Sequence, residues 1–229
     1  MTVDWDAVEQ LQGRAETARK RGDRLRGEGD EAGAMAAFGV AEASLRECLT
    51  ALGLTPTPET ASARAETLGS LGGILRRMNR SEEAFENYSE GADIEQKYHL
   101  PSTYNRVNSL KHKLLTGKKT LSELESEIRT TAKALSDSLN DPRDQRAADS
   151  AWSWADLGDC LTLLGDFDSA ERAYTIFIKK ASLKSPETTL DVLKSIARAI
   201  AHSDEAGAKR VNDAVAFLES QLVKRYEIR

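Results

Sequence analysis

Three histidines, two cysteines and a surplus of carboxylates are the side chains of this sequence equipped to do chemistry. His99, His112 and His202 lie in separate stretches, and no HExxH places two imidazoles on one helical face, as a zinc site would need. Cys48 and Cys160 are far apart, each inside an apolar helix-like run, and neither belongs to a CxxC pair. Their expected state is reduced and buried, as small hydrophobes. Gly117-Lys118-Lys119-Thr120 has the look of a phosphate-loop end, but His112 stands five residues upstream where that loop has Gly, and no strand precedes it. Gly27-Glu28-Gly29 carries Glu28 and Asp30, whose charge repels phosphate. The many Glu and Asp pairs share their stretches with Arg and Lys, the pattern of a solvated helix face. No Ser/His/Asp or Cys/His set emerges. The expectation is a protein that is not an enzyme and needs neither metal nor cofactor.

The elements that carry these residues are helices. Thr57, Asp141 and Ser185 each precede a proline, an N-cap followed by a residue suited to the first helical position. Thr120 and Glu123 have capping-box spacing. Apolar residues recur every three or four positions, as at Leu68, Leu71, Leu75 and Met78, and again at Leu190, Leu193, Ile196 and Ile200. Thr175-Ile176-Phe177-Ile178 is the one strand-like run, and it continues the helical pattern begun at Ala170 and Tyr174. The spacing predicts helices over about 4–26, 30–53, 58–78, 81–98, 102–116, 120–139, 142–164, 167–182, 186–202 and 204–226.

Composition bounds the function classes. The 229 residues include 32 Lys and Arg against 37 Asp and Glu, a net charge of −5, which argues against the dense cationic surface of a nucleic-acid protein. Hydrophobic residues make up 40%, enough for a core without disulfide staples. No apolar run approaches the roughly 18 residues of a membrane span. The start, MTVDWDAVEQ, lacks the basic-then-apolar order of a secretory leader. A cytoplasmic protein with no membrane partner is expected.

Three segments repeat one pattern. Gly22, Gly72 and Gly158 are each followed three residues later by Leu (Leu25, Leu75, Leu161) and four further on by a turn residue (Gly29, Asn79, Gly165). A small residue follows (Ala34, Ala84, Ala170), and then an aromatic (Phe38, Tyr88, Tyr174). Small residues let two antiparallel helices approach closely, and the aromatic fills the wedge between them. This pattern resembles the tetratricopeptide repeat, a 34-residue helix-turn-helix unit, best at 152–177 with Trp154, Leu157 and Phe167 also in place. Ala34 and Ala84 are 50 residues apart and Ala84 and Ala170 are 86 apart, leaving room for a degenerate pair over 102–139.

The resemblance implies an all-α, TPR-like α-α superhelix, a solenoid of about five antiparallel helix pairs. It forms one domain over 1–229, with pairs near 4–53, 58–98, 102–139 and 142–182 and a capping pair at 186–226. The stretches STYNRVNSL and WSWADLGDCLTLLGD are also similar to helical-repeat modules of bacterial signalling and conflict systems, themselves related to an adaptor-binding helical region of mitogen-activated kinase-kinase-kinases.

Solenoids of this type receive partners in the groove lined by the first helix of each pair. The groove candidates are Arg19, Asp23 and Arg26 in the first pair, then Glu66, Arg76 and Arg77 in the second. Asn105, Asn108, Ser109 and His112 follow in the degenerate helix, with Trp152 and Asp159 in the best repeat. Asn amides suit a peptide backbone and Arg suits acidic side chains; simple solvation is the alternative for each. Gly69, Gly73, Ala155 and Asp159 stand where the family's carboxylate clamp needs Lys, Asn or Arg, which disfavours chaperone tails. Trp5 and Trp152 are potential anchors, and one of Trp152 and Trp154 is expected in the core. The function these features imply is a scaffold binding a protein or peptide. The alternative is a regulatory or sensor subunit of a bacterial signalling or defence system that controls a separate effector.

Overall fold

Asp4, Asp30, Thr120, Ser150 and Asp166 each accept a backbone N–H at the start of a helix, satisfying a donor that helix geometry leaves free. The computed structural model describes residues 3–100, 102–143, 150–181 and 185–227, with backbone alone at 185, 226 and 227. Among the described residues there are ten helices and no strand. They are α1 (Trp5–Gly27), α2 (Glu31–Ala51), α3 (Ala61–Arg77), α4 (Ser81–Lys97), α5 (Tyr104–Leu115), α6 (Leu121–Asn140), α7 (Ala151–Leu164), α8 (Phe167–Lys180), α9 (Ser185–Ile200) and α10 (Glu205–Glu227). None of them is long and apolar enough to cross a membrane.

The chain divides into two compact units, Met1–Ser109 and Leu110–Arg229, with the boundary inside α5. In the first, α1 packs on α2, α2 on α3 and α3 on α4. Its main core gathers Ala34, Phe38, Ala41, Leu71, Leu75, Ala84 and Tyr88. In the second, α6 packs on α7, α7 on α8 and α9 on α10, while α10 also touches α7 and α8.

The predicted wedge contact is present in all three repeats. A methyl group added at Gly22 would lie 2.6 Å from Cδ1 of Phe38, one at Gly72 2.6 Å from Cε1 of Tyr88, and one at Gly158 2.5 Å from Cε1 of Tyr174. Each aromatic is buried, and Ala34, Ala84 and Ala170 beside them are at most 1% exposed.

The three turns are also identical in their bonds. Gly29, Asn79 and Gly165 have φ of 84°, 61° and 82°, the left-handed conformation that ends a helix. The next residue donates back to the repeat Leu: Asp30 N to Leu25 O, Arg80 N to Leu75 O and Asp166 N to Leu161 O. Asp30 and Asp166 then cap the following helix through their side chains, so one residue closes one helix and opens the next. The same closure ends α4, where His99 takes φ of 51° and Leu100 N donates to Glu95 O.

Two predicted helix starts differ. Asp141 ends α6 instead of opening a helix, because its carboxylate turns back to accept Arg143 N and Nε, both at 2.9 Å. Residues 144–149 lie outside the described residues, and α7 is capped by Ser150. Thr57 and Pro58 do open a helical turn, with Ala61 N bonded to Thr57 O at 2.8 Å, ahead of α3 proper. The capping box at Thr120 and Glu123 and the helical state of Thr175–Ile178 are as predicted.

Candidate partner-binding surface

The helices α1 and α3 run side by side in constant register. Trp5 Nε1 donates to Glu59 Oε1 at 3.3 Å, Gln12 Nε2 to Thr67 Oγ1 at 3.2 Å, and Arg77 Nε to Asp23 Oδ1 at 2.8 Å. The partners are 54, 55 and 54 residues apart, so the two first helices are parallel. Along α1, residues 5, 9, 12, 16, 19 and 23 recur every three or four positions and form one stripe beside α3.

Cationic groups gather at the C-terminal end of this seam. Arg19 bonds Glu16 at 2.7 Å and Asp23 at 2.8 Å, and Arg77 reaches the same Asp23. The Glu16 carboxyl is held below its ordinary value, first by its hydrogen bond to Arg19. Arg26 pairs with Glu31 and lies 4.9 Å over the Phe38 ring, so it props the core aromatic of the first repeat. Arg76 is exposed, and its guanidinium reaches Asn108 Oδ1 at 3.5 Å.

Tyr104, at the start of α5, completes this face. Its ring lies over α3, where a methyl group at Gly69 would sit 2.9 Å from Cδ1 and one at Gly73 3.6 Å from the hydroxyl. It meets Tyr88 edge-on at 6.0 Å and 72°, and it remains 42% exposed. Only glycine at 69 admits the ring so closely. The pairing Gly69 and Gly73, four apart on one helix, was the available signal for a large side chain docked there.

Several groove candidates are placed elsewhere. Asn105 is 1% exposed, and its Nδ2 donates to Ala65 O at 2.9 Å and to Glu95 Oε1 at 2.8 Å. Its amide fills the notch left by Gly69 and Gly91 and staples α5 to α3 and α4 instead of meeting a partner. Asn108 and Ser109 are buried as well: Asn108 Nδ2 donates to Tyr104 O at 2.8 Å, and Ser109 Oγ lies 3.4 Å from Ser89 Oγ. For Asn105 the reason is Glu95, which the sequence did not mark. Its buried carboxylate accepts the N–H groups of Asn105 and Arg106, both at 3.2 Å, and so caps α5 from another helix. Burial pushes its pKa up, against these hydrogen bonds, which favour the charged form.

Asp159, also read as groove-facing, is 2% exposed in the second unit. It accepts from the Tyr174 hydroxyl at 2.7 Å and pairs with Lys111 at 2.5 Å, while Lys111 also reaches Asp156 at 2.9 Å. Burial lowers the pKa of Lys111, but the two carboxylates outweigh it and hold the ammonium above its ordinary value. Asp159 thus anchors the repeat aromatic from below, a structural role. His112 is half-buried in α5. Trp152 is 46% exposed with its ring 5.9 Å from Phe177, and Trp154 is half-buried, so neither of the pair is a fully buried core residue.

The reactive groups are quiet. Both cysteines are buried and free, and burial raises both thiol pKa values, which suppresses thiolate chemistry. Among the described residues no group of three His, Cys, Asp or Glu is arranged to hold a metal.

No protein-family profile and no curated protein matches the sequence. Solved structures do. A kinesin-light-chain protein of Podosopora anserina with nearly identical TPR-like repeats is 15% identical, with 93% of this chain and 97% of that chain covered at a TM-score of 0.45. MamA is 18% identical, with 90% and 96% covered at 0.35. A point variant of the same kinesin-light-chain protein aligns at 15% identity over 95% and 98%, with a TM-score of 0.46. The tetratricopeptide-like character of the hairpins rests on the repeated Gly–aromatic contact and the repeated turn.

Proposed function

We propose that this protein is a non-catalytic interaction module whose partner docks on the face of the first unit built by α1, α3 and the start of α5. The observation that carries this reading is the exposed Tyr104, seated on Gly69 and Gly73 beside Arg76 and Arg77. Tyr and Arg are the types that dominate binding energy at interfaces, because each combines a large contact area with a polar or charged head. A ring already fixed by its packing loses little conformational freedom on binding. The guanidiniums of Arg76 and Arg77 suit carboxylates of the partner. Of the groove residues expected from sequence, Arg19, Asp23, Glu66, Arg76 and Arg77 lie along this face.

The test is quantitative affinity capture from the native host, with the wild-type chain, Tyr104→Ala and Arg76→Glu/Arg77→Glu as baits. Proteins retained by wild type are expected to fall at least tenfold with both variants, whose helical content stays unchanged. Equal retention on all three baits refutes the assignment of this face.

A further inference from the structure

The seam between α1 and α3 has opposite chemistry at its two ends. Its N-terminal end opens into a cleft of about 380 Å³. Val8, Ala63 and the Trp5 indole supply apolar lining, and Glu9, Glu59 and Glu66 supply carboxylates. Trp5 is 40% exposed, and its hydrogen bond to Glu59 fixes the ring. The C-terminal end carries Arg19 and Arg77, which converge on the carboxylate of Asp23, and Arg76 next to Arg77; with Glu16, which also holds Arg19, two carboxylates there face three guanidiniums. Helix dipoles account for an acidic first turn and a basic last turn, but Glu9 and Glu66 lie beyond the first turns of α1 and α3.

We infer that this seam takes an extended peptide that places a Lys or Arg in the Trp5 cleft and an Asp or Glu at Arg76 and Arg77. A Lys or Arg side chain matches the cleft because its aliphatic stem packs on apolar lining while its cation meets carboxylates and the indole face. From Ala63 to Arg77 the helix rises about 21 Å at roughly 1.5 Å per residue. An extended chain covers that span in roughly six residues. The partner motif is therefore a basic and an acidic residue about six positions apart. This inference rests on the reading that the α1–α3 face binds a partner, and it adds the chemistry of that partner.

Random twelve-residue peptides displayed on phage and selected on the full-length protein test it. The expected winners are enriched at least tenfold in basic–acidic pairs five to seven residues apart. On Glu9→Lys/Glu59→Lys the basic preference disappears, and on Arg76→Glu/Arg77→Glu the acidic one does, with circular dichroism confirming the fold of both. The wild-type selection decides alone if a variant fails to fold. Winners lacking this spacing, winners with apolar residues at helical spacing, or no winners at all overturn the inference. The face itself stands or falls separately, with the capture experiment on Tyr104→Ala.

Discussion

Two glycines of α1, nine residues apart, should respond to the same substitution with opposite signs. Gly13 is exposed and has nothing within 4 Å of the position a methyl group would take. Replacing it by Ala removes the entropic handicap of glycine in a helix, a gain of about 0.5–1 kcal/mol. Gly22 offers the same gain, but its new methyl would stand 2.6 Å from Cδ1 of Phe38 and closer still to Cε1. Carbon atoms prefer about 3.5–4.0 Å, a shortfall of about 1 Å. Phe38 is 0% exposed and packed among Leu71, Leu75 and Tyr88, which limits its retreat. Overpacking of this kind costs about 1–3 kcal/mol, and the rigid ring places it near the upper end. The net effect of Gly22→Ala is a loss of about 2 kcal/mol. For a chain of 229 residues this lowers Tm by about 4–8 °C, while Gly13→Ala raises it by about 1–4 °C. Thermal melts followed by far-ultraviolet circular dichroism read both. Adding Phe38→Leu to Gly22→Ala should recover at least about 1 kcal/mol in a double-mutant cycle, because the smaller side chain vacates the contact. A Gly22→Ala protein melting at or above wild type, or an additive cycle, refutes the wedge argument.

The capping box of α6 predicts a pH window. Glu123 is held at about 2, first by the Thr120 N–H and then by Lys119 and the Thr120 hydroxyl. Its folded pKa is depressed, so its charge-dependent stabilisation is present above the unfolded value of about 4.3 and is lost as pH falls towards 2. The Tm difference between wild type and Glu123→Gln should shrink over that interval, and a pH-independent difference would contradict it. In the second unit, Lys111→Met removes the ammonium that Asp156 and Asp159 share and should cost about 3–5 kcal/mol in urea denaturation. Adding Asp159→Asn should restore part of the loss; a Lys111→Met protein as stable as wild type would show that the buried pair is not coupled to folding.

Local features were legible in the sequence because the residues that decide them are neighbours. Gly22 and Phe38, Gly72 and Tyr88, and Gly158 and Tyr174 are each sixteen residues apart, joined by a turn whose left-handed residue is visible as Gly or Asn. Candidate binding residues were less legible. Asn105 and Asp159 stand on the polar side of their helices when a hairpin is considered alone, yet both are buried. Glu95 and the glycine notch take up the Asn105 amide, and Tyr174 and Lys111 take up Asp159. Asp141 misled because an Asx turn to Arg143 competes with capping for the same carboxylate.

What the sequence alone determined are the starts, ends and close crossings of the hairpins. Caps, left-handed turns and small-residue contacts are short-range, and each is satisfied within one repeat. Only the tertiary structure decided which polar side chains remain exposed. The register of α1 on α3 and the seating of Tyr104 on α3 join residues 31 to 55 positions apart. A polar atom's exposure depends on such distant neighbours, since any unsatisfied donor or acceptor they bury must find a partner inside the chain.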